Sequence, residues 1–433
     1  MDTNCFETCT TLSIMLLLAQ KTLGLSPAST VPSDKEKAMP QQDNTPLRGI
    51  RVLDFTAFVA GPYCTRLMAD LGADVVKVEP PHGDLLRAVS PRRSGHSTYF
   101  GQLNLGKRSL AIDLKKPRAL EIVTRMAAKA DVLVENFRPG VIDRFGLDYD
   151  TLSQQRRDLI YCSISGYGQT GPAAHDPAFA PVIHATSGFD LAMRDYQEGS
   201  PAPARGRPVA ADVLSSLHAL SAINAALFRR ERTGQGERID IALIECIQSL
   251  LPYEFQRAQI VEPGPIVPLY APIETKDGYI LVMPVTQKGF EALARALDHE
   301  EWIADERFSN SAQRIANWDE LWSAIESWAI QHSSAECESV LGPSGCPFGR
   351  YQTISEAVAN PQVQARGAVI EVSDAAGPFK VPNTPLRLRN ADYGIGATVP
   401  ALGQDNRNTL TDWLGMNKKD IQELEIAGAL HTD

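Results

Sequence analysis

The sequence predicts an α/β fold, with a Rossmann-like parallel sheet in a large domain and a smaller domain attached to it. Three observations carry this expectation. From about residue 48, short apolar runs of strand length alternate with segments of helical spacing. The runs are apolar nearly throughout, which marks strands covered by helices on both faces. Gly and Pro punctuate the boundaries, and the rhythm changes near "IETKDGYILVMPV" (273–285), where Asp277-Gly278 reads as a hairpin turn. The large domain is expected over 46–249 and the small one over 250–375, with 376–433 returning to the large domain.

The elements follow in order. "IRVLDF" is a compact strand, and "GPYCTRLMADLGA" has helical spacing with Gly72 placed to end it. "DVVKVEP" is the next strand, closed by a double proline. "SLAIDL" (109–114) is a third, followed by a helix from Pro117 to about Ala130. "DVLVENF" and "LIYCSISGYG" continue the series, and "TGQGERIDIAL" holds a turn and the start of a further element. Strand–helix–strand order of this kind builds right-handed parallel units. Ligands then bind at the carboxyl ends of the strands, beside helix N-termini. Three Gly-bearing loops stand there: "TAFVAGP", "ENFRPG" and "SGYGQTGP". None is a GxGxxG fingerprint or a P-loop.

Bulk properties narrow the partners. The 433 residues are 43% hydrophobic and 22% charged, with a formal net charge of −10. An acidic surface repels nucleic acid and anionic membranes, so neither is expected as a partner. No uninterrupted run of 18 apolar residues occurs, which predicts no membrane span. Seven scattered cysteines, without a CxxC pair or nearby clustered histidines, predict reduced thiols in an intracellular protein and no metal site. Residues 1–45 read as a disordered extension rich in Pro and Ser, without the basic leader of a targeting signal. The expected compartment is cytoplasmic or mitochondrial.

One stretch stands apart. "GRPVAADVLSSLHALSAINAALF" (206–228) holds a single acid, Asp212, at the mouth of a long apolar helix. Two readings stand side by side, and they are compatible. Asp212 is an N-cap of a helix starting just after it, or it is a nucleophilic carboxylate at a helix N-terminus. Lys77, Lys107, Arg108 and Arg144 lie near strand ends or loops, as solvated surface or as phosphate contacts. His175 and His184 lie in "HDPAFAPVIHATSG" and read as structural or surface histidines rather than catalysts.

These loops, in this order, resemble the family III CoA-transferases (the CaiB/BaiF group). The opening block "LRGIRVLDFTAFVAGPYCTRLMADLGADVVKVEPPHGD" carries the resemblance most clearly. "NLGKRSLAIDLKKP", "ADVLVENFRPGVIDRFGL", "IYCSISGYGQTGP", "TGQGERIDIALIE", "CPFGRYQTISEAVANPQVQARG" and "LGQDN" follow at the family's intervals, covering 46–433. "IYCSISGYGQTGP" and "TKDGYI" are most similar to members acting between succinyl-CoA and glutarate. The resemblance implies that Asp212 in "GRPVAAD" is the nucleophile and that CoA enters as a substrate, with no permanently bound cofactor. It implies CoA contacts at Asn136, Phe137, Arg144 and Lys107, and places Val59 against the reacting carboxylate. It further implies an interlocked homodimer. Two alternatives of the same fold remain open here, an acyl-CoA racemase or epimerase and a non-catalytic CoA-binding subunit.

The sequence departs from the family at two places. The family often carries a second acid shortly after "GYGQTGP", and Phe179-Ala180 stand there instead. In the related racemases that acid transfers protons, which Ala180 cannot do. The family's glycine-rich lid is replaced by "VEPGPIVPLYAP", with one Gly and four prolines, which predicts a stiffer lid.

Overall fold

Strand β1 (Arg51–Asp54) sits near the middle of a six-stranded sheet, and the site is built around its carboxyl end. A computed structural model describes residues 44–197, 201–262, 271–394 and 396–432. The expected N-terminal extension, apart from its last two residues, and most of the expected lid (263–270) lie outside the described residues. After β1 come α1 (Ala60–Asp70), β2 (Asp74–Glu79), α2 (Thr98–Asn104), β3 (Arg108–Ala111), α3 (Pro117–Ala127) and β4 (Val132–Glu135). β5 (Ile160–Ser165), α4 (Ala180–Thr186), α5 (Ala210–Thr233) and β6 (Glu237–Ala242) complete the set. The spatial order is β3-β2-β1-β4-β5-β6, and every pairing is parallel. The chain runs outward from β1 to β3 and then returns to β4 on β1's other side. The order therefore reverses between β1 and β4, and such a switch point opens a crevice for a ligand.

Helices cover both faces, as near-continuous apolar strands require. On one face Val52, Leu67, Met68, Ile160 and Ile223 join α1 and α5 to the sheet. On the other, Leu53, Val76, Val123 and Met126 meet Trp413 and Leu424 from C-terminal helices Asn406–Leu414 and Lys418–Ile426. A separate core of Ile273, Ile280, Phe290, Leu321 and Leu341 packs on a three-stranded sheet between Ile273 and Arg350. There Tyr279–Val282 pairs antiparallel with Ile273–Glu274 around the Asp277-Gly278 turn. The hairpin Val369–Asp374/Gly377–Pro382 sets Val372 and Val381 against Leu105 of the large domain.

Helix α5 runs 24 residues and is long and apolar enough, by composition, to cross a membrane. Its Ala211, Ser215, Ala219 and Ile223 are buried against the core, the packing of an internal helix. The five cysteines among the described residues are buried thiols.

A buried ionic network shapes the loop after β1. Asp54 has no exposure, and its carboxylate accepts from the Thr56 N–H at 2.8 Å, Thr65 Oγ1 at 2.7 Å and Lys107 Nζ at 3.0 Å. Burial opposes its charge, but Lys107 and Lys77 outweigh burial and hold its pKa down to about 2. Lys107 Nζ also donates to the Pro62 carbonyl at 2.9 Å and to Asn104 at 2.8 Å. Lys77 Nζ donates to the Thr56 carbonyl at 2.6 Å and pairs with Asp84 at 3.0 Å. Gly61 must lack a side chain, since a Cβ there would lie 2.2 Å from Thr56 Cγ2.

Removing one partner of a buried pair leaves an uncompensated charge. Lys107→Met should therefore cost about 3–5 kcal/mol, read as a lower urea midpoint, and adding Asp54→Asn should recover much of that loss. A midpoint for Lys107→Met equal to the parent protein's would show that the pair does not organise this loop.

Candidate active site

The loop after β1 reaches the switch point with Phe58 in the left-handed region (φ 63°) and Val59 buried. Loop β4 faces it. The Asn136 side chain clamps the Ala57 peptide from both sides, accepting from its N–H at 2.8 Å and donating to its carbonyl at 2.8 Å. The Phe137 N–H donates to Glu135 at 2.9 Å, and the Phe137 ring is half-buried. Burial pushes Glu135 up to about 7, opposed by the Ser163 hydroxyl and the Phe137 N–H. Val59, Asn136 and Phe137 therefore gather at the neighbouring ends of β1 and β4. Arg144 follows on a short 3₁₀ turn and is exposed.

Lys107 does not join them. Its ammonium is inside the protein with three partners, so it positions the loop rather than contacting a phosphate. Lys77 is equally enclosed, and Arg108 is engaged by Asp74 and Asp412. Spacing near a strand end did not distinguish these cations from Arg144, because their acidic partners come from outside the local motif.

Asp212 is not the cap of its helix. Helix α5 begins at Ala210 after Val209, which has no side-chain oxygen to offer, and Asp212 is the third helical residue. The helix starts earlier than its sequence suggests because an outside group serves its first turn. His184 Nε2, on α4, accepts from the Ala211 N–H at 3.1 Å. One turn further in, Ser216 Oγ lies 2.6 Å from the Ala60 carbonyl of α1 and 2.8 Å from the Asp212 carbonyl. The Asp212 turn is thus held between α4 and the start of α1.

Burial raises the Asp212 carboxyl to about 7, with no cation resolved against it. Its charge helps push Tyr99 up in turn, behind the larger effect of burial. Tyr99 and Val209 share an apolar cluster with Val59, Leu86 and Phe100. Tyr99, Val209, Arg207, Pro208, Ser90 and Pro91 line a cleft of about 620 Å³. Sequence reasoning did not single out Tyr99, Arg207 or Ser216, although Arg207 lies inside the "GRPVAAD" motif.

The "SGYGQTGP" loop is anchored at one point. The Gln169 N–H donates to Asp240 of β6 at 2.9 Å, and Gly168 faces Ala242. This ties the loop to the edge strand. Ala180, where the family often carries an acid, is buried in the core, and Phe179 packs edge-on to Phe58 at 5.2 Å. Among the described residues no cluster of His, Cys, Asp and Glu could hold a metal ion.

A basic carboxylate at the head of a helix, beside a cleft and a switch-point crevice, defines a ligand-binding α/β enzyme. The chain belongs to CoA-transferase family III, whose profile matches residues 47–406. It is 33% identical to the succinyl-CoA–D-citramalate CoA-transferase of Chloroflexus aurantiacus, over 89% of this chain and 98% of that one. It is 33% identical to the succinyl-CoA:glutarate CoA-transferase of Mus musculus, over 89% and 90%. The crystal structure of a CaiB/BaiF family protein from Brucella suis superposes with a TM-score of 0.75 at 31% identity, covering 86% of this chain and all of that one.

The Asp212 environment has a signature in stability. Its folded pKa of about 7 lies above the ordinary value of 3.8, so the folded state holds the proton longer. Stability is lost as pH rises from about 4 to about 7, and the penalty is complete above that. Asp212→Asn should raise the melting temperature at pH 8 and change it little at pH 4. Equal effects at both pH values would mean that Asp212 is not desolvated.

Proposed function

We propose that this enzyme moves CoA from an acyl-CoA thioester to a carboxylic acid through covalent intermediates on Asp212. The observation that carries this reading is the Asp212 carboxylate itself, raised to about 7 by burial and close enough to Tyr99, which lines an open cleft, to act on its charge. An uncompensated, partly desolvated carboxylate is a stronger nucleophile than a solvated one. One Asp212 oxygen attacks the thioester carbonyl, and the C–S bond breaks to release CoA thiolate and leave a mixed anhydride. The thiolate attacks the aspartyl carbonyl, expelling the donor's carboxylate and forming an aspartyl–CoA thioester. The acceptor carboxylate then attacks that carbonyl, giving a second anhydride and freeing the thiolate again. Attack of the thiolate on the acceptor's acyl carbon yields the new thioester and restores Asp212. No proton is consumed, and the thioester's energy is conserved in each acyl intermediate.

The likeness to the family supports Asn136, Phe137 and Arg144 as CoA contacts on the loop after β4, and Val59 as the residue set against the reacting carboxylate. The substrates are dicarboxylates such as succinate or glutarate. Arg207 supports this, since it lines the cleft five residues before Asp212 and has no ion-pair partner among the described residues. A free guanidinium there suits a second, non-reacting carboxylate. The printed names of the two curated relatives point to dicarboxylates as well.

Incubation with succinyl-CoA followed by hydroxylamine or borohydride trapping should modify the peptide containing Asp212, and Asp212→Ala should abolish the adduct. In the same assay Arg207→Gln should slow labelling by succinyl-CoA by roughly 10- to 100-fold, the worth of one charge-assisted hydrogen bond, and spare butyryl-CoA. Absence of any adduct despite CoA binding would overturn the covalent route. Equal slowing of both donors would overturn the assignment of Arg207.

The active form is an interlocked homodimer. Phe228 on α5 is 66% exposed, and Tyr253, Phe255 and Ile260 are exposed as well; large apolar side chains left in water are what an assembly covers. Light scattering should read twice the mass of the chain, and tagged and untagged dimers should not exchange protomers without unfolding. A monomer would overturn the dimer, and free exchange would overturn the interlocking.

A further inference from the structure

We infer that His184 is a positioning residue for Asp212, holding the first turn of α5 by accepting the Ala211 N–H on its Nε2. The inference rests on the reading of Asp212 as the nucleophile.

The chain enters helix α5 through Pro208-Val209-Ala210-Ala211, none of which carries a capping oxygen. The first N–H groups of a helix lack partners within it, and an unserved first turn frays. Asp212 lies in that turn. His184, buried to 5% exposure, supplies an acceptor at 3.1 Å to the residue directly before Asp212. Its ring packs on Phe189 with centroids 5.1 Å apart, which fixes its direction.

The chemistry of the group suits the task. An imidazole accepts only when neutral, and accepting on Nε2 places its proton on Nδ1. Burial pushes His184's pKa down, with Asp190 pulling the other way, so the net direction favours the neutral acceptor. A cationic cap would attract the Asp212 carboxylate and weaken it as a nucleophile. A neutral cap orders the turn and leaves the carboxylate without a cation. Since Nε2 is engaged by the backbone, His184 acts through Ala211 and does not touch the reacting atoms.

The test compares His184→Ala and His184→Gln, whose amide oxygen can accept the same N–H. Turnover with succinyl-CoA and hydrogen exchange of the substrate-free enzyme are both read. His184→Ala should lower kcat 10- to 100-fold with KM for succinyl-CoA within twofold, and His184→Gln should recover most of the loss. Exchange at Ala211 and Asp212 should accelerate at least tenfold in the Ala variant and not in the Gln variant. An unchanged kcat in His184→Ala, or a rise in KM alone, would overturn the inference. So would His184→Gln losing as much activity as the Ala variant while its exchange stays slow, which would mark a proton-transfer role. Asp212→Ala that still turns over would instead overturn the nucleophile, a result independent of the exchange measurement.

Discussion

Everything at this site leans on one buried carboxylate that is not the proposed nucleophile. Asp54 ends β1 in a place without water, and it is ionised because Lys107 and Lys77 stand against it. Those two cations then spend their remaining donors on backbone carbonyls, at Pro62 for Lys107 and Thr56 for Lys77. The loop between β1 and α1 is therefore pinned at Thr56, and the first turn of α1 at Pro62, by groups that are themselves buried. Asn136 pins it again at Ala57 from the side of β4. Between these fixed points Phe58 adopts a left-handed backbone that costs a residue with a side chain of order 1–3 kcal/mol. Such a conformation persists only where its surroundings over-determine it, and here they do.

The contrast between Asp54 and Asp212 shows how one residue type serves two ends. Asp54 is fully buried and Asp212 half-buried. Asp54 has two ammonium groups and several hydroxyl and N–H donors, and its pKa falls to about 2. Asp212 has none resolved against it, and burial alone takes it to about 7. The first arrangement makes a carboxylate inert and structural. The second leaves a carboxylate of high energy beside a cleft, where bond formation relieves the cost of its charge. The two are coupled through the backbone, because the loop that Asp54 organises leads into Ala60, whose carbonyl meets Ser216 one turn beyond Asp212.

The sheet was legible in the sequence, since its strands are short apolar runs bounded by Gly and Pro. The Gly72 stop and the Asp277-Gly278 turn were legible for the same reason: each is a local backbone requirement met by a local residue. What escaped was set by partners distant in the chain. Lys107 looks like any loop cation until Asp54, 53 residues away, is seen beneath it. Asp212 looks like a cap until His184, on another helix, is found in that role. The anchoring of the "SGYGQTGP" loop by Asp240, 71 residues from Gln169, could not be read from the loop itself. In each case residue type was read correctly and the identity of the neighbour was missing. Asn136 escaped only in part, because its position beside the switch point followed from the fold while its grip on Ala57 did not.

The places where local rules fail coincide with the proposed chemistry. A helix begins on Val209 and two alanines without its own cap, a phenylalanine takes a glycine-like φ, and an acid is buried without a cation. Each would be an error in a sequence optimised only to fold. They lie within one neighbourhood, and the compensation for each comes from outside it: His184 from α4, Asn136 from β4, and the Asp54 network from beneath. This division has a mechanical consequence. The groups that hold the turn, His184, Ser216 and the Asp54 network, are not among the residues that line the cleft, Tyr99, Arg207, Pro208 and Val209. On the proposed reading, the residues that meet the acid are therefore not the residues that keep Asp212 in place.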